Sequence, residues 1–366
     1  MLILTARNPL QSSYGSAGYQ QIRAALDAWA QAGGHRVLAV DDAGDMQSFG
    51  MTATSNSPLN VQQAIQTVAV RSPSVVDSIL LAGGATVIPF WSLENPVIDR
   101  ATDVDTTVLT DNPFGAASQT LSEYLAPSIP VGRLAVPDSA TLQQFLALIQ
   151  GLPRRQAPPP AGQAGTALIV NSDWTDYSQR ATQSAPTPLE WHLSPGYEMD
   201  TETQQDAARA VLYFNLHGFS GQADWQGYST IQRSFIPAVT PDAFNRSGVA
   251  GAVSFAECCY GAQIAGRTPQ NSCALKLVQE GASFIGATGL AFGSYIASDL
   301  MLEDADFLAR AFFQAMSTGA AIGYALMQAR KAYLADSSES ATGEIWQLKQ
   351  KTLLQFVLFG NPQTIY

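Results

Sequence analysis

Short apolar runs recur along the chain, separated by stretches in which apolar residues return every three or four positions. The first pattern predicts strands buried on both faces and the second predicts helices that cover them. Leu2 to Thr5 reads as a strand and Tyr19 to Ala32 as an amphipathic helix stopped by Gly33-Gly34. Arg36 to Val40 is the next strand and Val61 to Val70 the next helix. Val75 to Leu81 is a strand closed by a turn at Gly83-Gly84, and Pro130 to Leu134 is another. A helix is then expected from a cap near Asp138-Ser139 to about Gln150.

The segment GLPRRQAPPPAGQAG, residues 151–165, holds four prolines and three glycines and can continue neither pattern. It predicts a linker between an N-terminal α/β subdomain, residues 1–150, and a second subdomain, residues 166–366. After the linker come a strand at Ala167 to Asn171, a polar loop region through Asp200, and a helix near Asp206 to Ala210. Val211 to Leu216 is a strand ending at His217. Thr240-Pro241 has the form of a helix N-cap followed by proline, with an end near Gly248. Strands follow at Ala250 to Ala256 and Ala282 to Gly286, then helices at Asp304 to Met316 and Ala320 to Leu334. Strands alternating with helices predict an α/β fold, a parallel sheet flanked by helices, and no tandem repeat is present.

Composition narrows the class. With 46% hydrophobic and 13% charged residues the chain has ample material for a core. Nineteen Lys and Arg against 30 Asp and Glu give a net charge of -11, which repels nucleic acid and anionic membrane surfaces. The opening MLILTARNP has no basic leader, and the apolar run around Ile79 to Ala82 is far short of a membrane span. Three cysteines, two of them adjacent, make no disulfide framework. A soluble cytoplasmic protein is the expectation from these features.

Two segments share a design: VLYFNLHGFSG carries His217-Gly218, and GAVSFAECCYGA carries Cys258, Cys259 and Gly261. In each, an apolar run ends in a residue type able to do covalent or proton-transfer chemistry, followed by glycine. If both runs are neighbouring parallel strands, their C-terminal ends open on the sheet edge where ligands bind. A thiol and an imidazole then face one crevice, as covalent catalysis requires. A helix starting after Gly261 would favour the thiolate. Gly218 would leave room for a substrate carbonyl, and the backbone N–H groups of Gly218 and Cys259 would form an oxyanion hole.

At these residues the chain resembles the clan CD cysteine peptidases, which include caspases, legumains, metacaspases and gingipains. The resemblance is nearest to the gingipains. It is carried by NLHG at Asn215 to Gly218 with Trp225 downstream, ECCYGA at Glu257 to Ala262, FIGATGLAFG at Phe284 to Gly293, FGNP at Phe359 to Pro362, and PVGRLAV at Pro130 to Val136. It implies a caspase-like parallel sheet with a related N-terminal subdomain packed against it, and a cysteine endopeptidase acting on protein or peptide substrates through a Cys-His dyad. One alignment of ECCYG makes Cys259 the nucleophile; a Cys-x-x-Gly alignment makes it Cys258. Strand alternation favours Cys259, with its neighbour turned into the core. In such folds the pocket for the residue before the cut lies beside the strand after the nucleophile, here Thr288 to Ser294, and the loop Asp173 to Asp176. Asp173, Asp176 and Asp299 are the candidate carboxylates for an Arg or Lys side chain there, with Thr288 beside them.

Other readings are weaker. Cys273, His35 and His192 lack a comparable context and read as local structure. The cysteine spacing does not match a zinc site, no organic cofactor is called for, and a structural calcium, which the resemblance permits, is not legible in scattered aspartates. Neither GxGxxG, GxxxxGK[ST] nor GxSxG occurs, which sets aside dehydrogenase, NTPase and α/β-hydrolase readings. The remaining alternative is an idle caspase-fold scaffold that binds a partner protein. Arg154-Arg155 in the linker read either as solvated spacer residues or as a self-processing site.

Overall fold

The computed structural model describes residues 1–99, 101–152, 164–200, 203–245, 248–297, 300–336 and 343–366. Asp299 and the Arg154-Arg155 pair lie outside the described residues. Ten strands among the described residues form one sheet: β1 (Leu2–Thr5), β2 (Arg36–Ala39), β3 (Ile79–Ala82), β4 (Val131–Leu134), β5 (Thr166–Asn171), β6 (Leu189–Ser194), β7 (Val211–Asn215), β8 (Val253–Ala256), β9 (Ser283–Ala287) and β10 (Phe356–Phe359). Their spatial order is β2-β1-β3-β4-β10-β9-β8-β7-β5-β6. Every pairing is parallel except that of β9 with β10.

The strands preceding the linker therefore lie at one end of the sheet, and those of the following segment at the other. The last strand, β10, joins the two by pairing with β4 on one side and β9 on the other. The two halves meet edge to edge in one sheet, where the sequence suggested one subdomain packed against the other. Interior strands such as TALIVN, VLYFN, VSFA and FVLF are buried on both faces, which is why they read as unbroken apolar runs.

Successive residues of the second half alternate between two cores. Ile169, Leu212, Phe214, Ala256 and Phe284 pack with the helix Cys273–Gln279 on one face. Leu168, Tyr213, Phe255, Ile285 and Leu358 pack with the helices Asp304–Ser317 and Ile322–Ala335 on the other. In the first half, Arg133 of β4 is fully buried, but its charge is matched by Asp111 through bonds of 2.9 and 2.6 Å, and its guanidinium lies 4.0 Å from the Phe90 ring centre.

Several expected elements are shorter or different. The segments predicted as helices near Asp206 to Ala210 and after Thr240-Pro241 are short 3-10 turns, Gln204–Ala207 and Pro241–Phe244. The strand ending at Leu81 begins only at Ile79, after a 3-10 turn at Pro73–Val75. The helix after β4 starts at Leu142, capped by Thr141 in a capping box with Gln144, and not at Asp138. The first helix runs from Arg7 to Gly33, with a break at Gly15, whose φ of 71° suits glycine. The region before Asp200 contains β6, and three two-stranded antiparallel pairs that the apolar pattern did not single out lie outside the large sheet: Trp91–Glu94 with Thr107–Thr110, Trp225–Ser229 with Ser234–Val239, and Tyr295–Ala297 with Leu300–Leu302.

Candidate active site

The register of β7 on β8 pairs Phe214 with Ala256. His217 and Cys259 each lie three residues beyond this pair, so the two parallel strands deliver them at the same level of the sheet edge. Alternation settles their direction. Tyr213, Asn215 and His217 follow one side of β7, and Phe255, Glu257 and Cys259 the same side of β8, the side covered by the helix Asp304–Ser317. Cys258 points the other way, into the opposite core, and is fully buried there.

A cavity of about 320 Å³ opens on that side. Trp174, Tyr177, Asn215, His217, Glu257 and Cys259 line it, with the Ala291–Ser294 segment and Asp306 closing the rest. The His217 backbone is fixed by reciprocal bonds with Gln226, each 2.8 Å, at the base of the Trp225–Val239 hairpin. Its ring lies 4.4 Å from that of Trp174 and 4.9 Å from that of Phe235. Burial lowers the imidazole pKa below the ordinary histidine value, and the exposed carboxylate of Asp173 opposes this only in part.

The Cys259 sulfur accepts a hydrogen bond from the N–H of Ala291 at 3.3 Å and donates to the carbonyl of the same residue at 3.4 Å. Burial raises the thiol pKa, with the Ala291 N–H and the Lys351 charge acting against the shift and Asp105 adding to it. A raised thiol beside a lowered imidazole is a neutral pair at rest. The expected helix after Gly261 is absent: a turn follows, and the next helix begins at Cys273. The thiolate therefore has no helix dipole to favour it.

Gly218 has a different constraint from the one expected. A Cβ there would lie 2.0 Å from the carbonyl oxygen of Cys259, so glycine lets the two catalytic-type segments touch backbone to backbone. Tyr260, directly after Cys259, adopts a left-handed φ of 56°, an uncommon conformation for a bulky residue that turns the chain sharply past the sulfur.

The carboxylates inside the cavity are Glu257 and Asp306, not Asp173 or Asp176, which are exposed and outside its lining. Thr288 is buried and turned away, its hydroxyl donating to the carbonyl of Leu109 at 2.6 Å. Glu257 accepts a bond from the Tyr213 hydroxyl at 2.6 Å, while its other oxygen is buried without a hydrogen-bond partner. Burial, then the nearby charge of Asp306, raises its pKa well above the ordinary carboxylate range. Asp306 accepts from the Ser294 N–H at 2.6 Å and is also raised by burial. Sequence reading passed over both residues. Glu257 had one signal, a carboxylate continuing the buried run VSFA, whereas Asp306 looked like an ordinary acidic residue in a helix first turn.

Among the described residues no group of three or more His, Cys, Asp or Glu side chains can hold a metal ion, and no helix is long and apolar enough to cross a membrane. Three free thiols are present: Cys273 is buried like Cys258, and Cys259 alone reaches the cavity.

The sheet is large and mainly parallel, with a thiol and an imidazole at the ends of adjacent strands, and the protein is a cysteine-type peptidase, a hydrolase of peptide bonds. The chain belongs to peptidase family C25, whose family model matches residues 2–365. Solved structures of the same fold include one described as the structure of a protease, 13% identical with a TM-score of 0.63, over 100% of this chain and 78% of that one. The complex of Porphyromonas gingivalis RgpB pro- and mature domains is 14% identical, with a TM-score of 0.62 over 99% and 78% of the two chains. The Arg-specific cysteine proteinase gingipain R is 13% identical, with a TM-score of 0.61 over 100% and 77%. At such identities the likeness concerns the fold. A sequence search of curated proteins finds no match.

Proposed function

We propose that the chain is an endopeptidase that cleaves after Arg or Lys, with Cys259 as nucleophile and His217 as its proton-transfer partner. The observation that carries this reading is the shared cavity: the thiol and imidazole line it together with two buried carboxylates, one oxygen of which lacks a partner. A carboxyl buried with one oxygen unpartnered keeps its proton until a cation enters, and a guanidinium then pairs with the ionised group through two charge-assisted bonds. Trp174 adds an aromatic wall for the same cation, whereas the Tyr177 ring is already faced by the Arg180 guanidinium at 4.9 Å. The Arg specificity of gingipain R, named above, agrees with this choice.

In the proposed reaction the imidazole of His217 takes the thiol proton as the sulfur attacks the scissile carbonyl carbon. The developing oxyanion meets the N–H groups of Gly218 and Cys259. Collapse of the tetrahedral species breaks the C–N bond, and His217 returns the proton to the departing amine. Water, deprotonated by His217, then cleaves the thioester and frees the acid and the thiol. Because the resting thiol is bonded to Ala291, it must turn from that carbonyl to the imidazole when substrate enters.

A fluorogenic peptide panel varying only the residue before the cut, combined with mass mapping of an irreversible peptidyl adduct, tests the reading. Preference for Arg or Lys with the adduct on Cys259 is expected. An adduct on Cys258, or full turnover by His217→Ala, overturns the dyad; preference for acidic or apolar residues overturns the specificity.

A further inference from the structure

Behind the cavity wall lies a buried ionic group drawn from distant parts of the chain. Lys351, on the helix Gly343–Gln355, is fully buried and pairs with Asp103 and, at 2.8 Å, with Asp105 Oδ2. Both aspartates precede Thr107–Thr110, a strand of the first-half hairpin. Lys351 sits 5.7 Å from the centre of the Phe292 ring, which forms part of the cavity wall. Burial alone would raise the Asp105 carboxyl, but Lys351, the Leu290 N–H and the Tyr260 hydroxyl hold it below its ordinary value.

The bonds of Asp105 converge on the sulfur from two directions. Its Oδ1 accepts from the Tyr260 hydroxyl at 2.8 Å, and Tyr260 is the left-handed residue immediately after Cys259. Its Oδ2 accepts from the N–H of Leu290 at 2.8 Å, and Leu290 immediately precedes Ala291, whose N–H and carbonyl hold the thiol. Tyr260 N–H also donates to the Gly289 carbonyl at 2.8 Å, tying the two segments together. A Cβ at Gly289 would stand 2.6 Å from Asp105 Oδ2, so the GATGLAFG segment needs glycine there to admit the carboxylate. A bulky residue held at a positive φ persists only where its surroundings over-determine it, and this carboxylate supplies that constraint.

We propose that Asp105, held by the Lys351 ammonium that it shares with Asp103, is a positioning residue for the reaction: it registers the nucleophile's turn against the cavity wall. The proposal rests on Cys259 being the nucleophile. Asp105 does not touch the substrate. It acts through Tyr260 and Leu290, one residue to either side of the groups that bear or hold the thiol. A surface contribution to stability would not predict this convergence, and misplacing a nucleophile by about 1 Å costs on the order of 100-fold in rate.

The test compares wild type, Tyr260→Phe, Asp105→Asn, their double mutant and Cys259→Ala on the peptide that wild type cuts fastest, with kcat, KM and Tm for each. Tyr260→Phe removes one hydroxyl and keeps the ring. It is expected to retain its Tm within a few degrees and its KM within about twofold while kcat falls about tenfold or more. Asp105→Asn is expected to lose at least as much kcat, and adding Tyr260→Phe to it should change little further, because both act along one path. A folded Tyr260→Phe with kcat within about twofold of wild type overturns the proposal, as does a loss confined to KM. Should Asp105→Asn fail to fold, Tyr260→Phe decides alone. Undiminished turnover by Cys259→Ala would instead overturn the nucleophile and, with it, this role for Asp105; an inactive Cys259→Ala beside a fully active Tyr260→Phe defeats the positioning role alone.

Discussion

Gly218 and Cys259 touch through their backbones: a methyl group on Gly218 would lie 2.0 Å from the Cys259 carbonyl oxygen. Gly218→Ala must therefore push the Cys259 segment away or tilt the His217 segment. The expected outcome is a loss of about 1–3 kcal/mol in stability from overpacking and a fall in kcat on the order of 100-fold from displaced reacting groups. Thermal melts and steady-state rates on the same preparation check both, and near-normal turnover would show that the contact is dispensable.

Cys258 separates packing from chemistry. It sits in the apolar core with Phe214, Ala256 and Phe284, where burial raises its thiol pKa well above the ordinary value. Cys258→Ser places a hydroxyl in that core and should destabilise the fold by about 1–3 kcal/mol, while Cys258→Ala should be milder. Both should keep most turnover once folded, whereas Cys259→Ala should keep none. Activity lost in Cys258→Ala at unchanged Tm would assign Cys258 a chemical role.

The position of the two catalytic-type residues was legible because parallel strands leave plain signals. VLYFN and VSFA are buried on both faces, so each reads as an apolar run with a chemical residue just past its end. Period-two alternation then separated Cys258 from Cys259. The carboxylates that line the cavity were not legible in the same way. Glu257 owes its exposure to the cavity to its parity with Cys259, but Asp306 reaches it only because a helix from elsewhere packs across that face. The edge-to-edge union of the two halves depends on β10 choosing two partners, which no local pattern encodes. Edge strand β6, LEWHLS, is only partly buried and interleaves polar residues, so it resembled loop.

The expected pH response follows from burial at both members of the proposed pair, His217 and Cys259. Burial favours the neutral form of each, lowering His217 and raising Cys259. Neutral imidazole thus persists to lower pH than the ordinary histidine value of 6.5 would allow, so the acid limb of turnover should lie below it. Alkylation of Cys259 by iodoacetamide should keep rising with pH through the ordinary thiol range, because the thiolate forms only above it. A rate plateau reached near neutral pH would reveal a preformed thiolate–imidazolium pair and contradict this.

Glu257→Gln should trade specificity for stability, with a sign that changes across pH. In the folded protein burial and Asp306 raise the Glu257 carboxyl above its ordinary 4.5, so the native state holds a proton that the unfolded chain releases. Stability then falls as pH rises from the unfolded value through the folded one. Glutamine keeps the shape and can still accept from the Tyr213 hydroxyl, but it carries no charge to bury. Glu257→Gln and wild type should therefore melt together below the ordinary carboxylate pKa, and the variant should gain in relative Tm as pH is raised toward 8. Turnover should move the opposite way. The charge of an entering guanidinium lowers the Glu257 pKa, so the carboxyl releases its proton to solvent and pairs as carboxylate, and losing that charged bond weakens transition-state binding by roughly 1.5–3 kcal/mol, about 10- to 100-fold in kcat/KM for Arg peptides. Peptides with a neutral residue before the cut should be cleaved at nearly unchanged rates. Melts between pH 4 and 8 and a two-peptide rate comparison measure both halves. Equal loss on Arg and neutral peptides would remove Glu257 from specificity, and a Tm difference independent of pH would contradict its raised carboxyl.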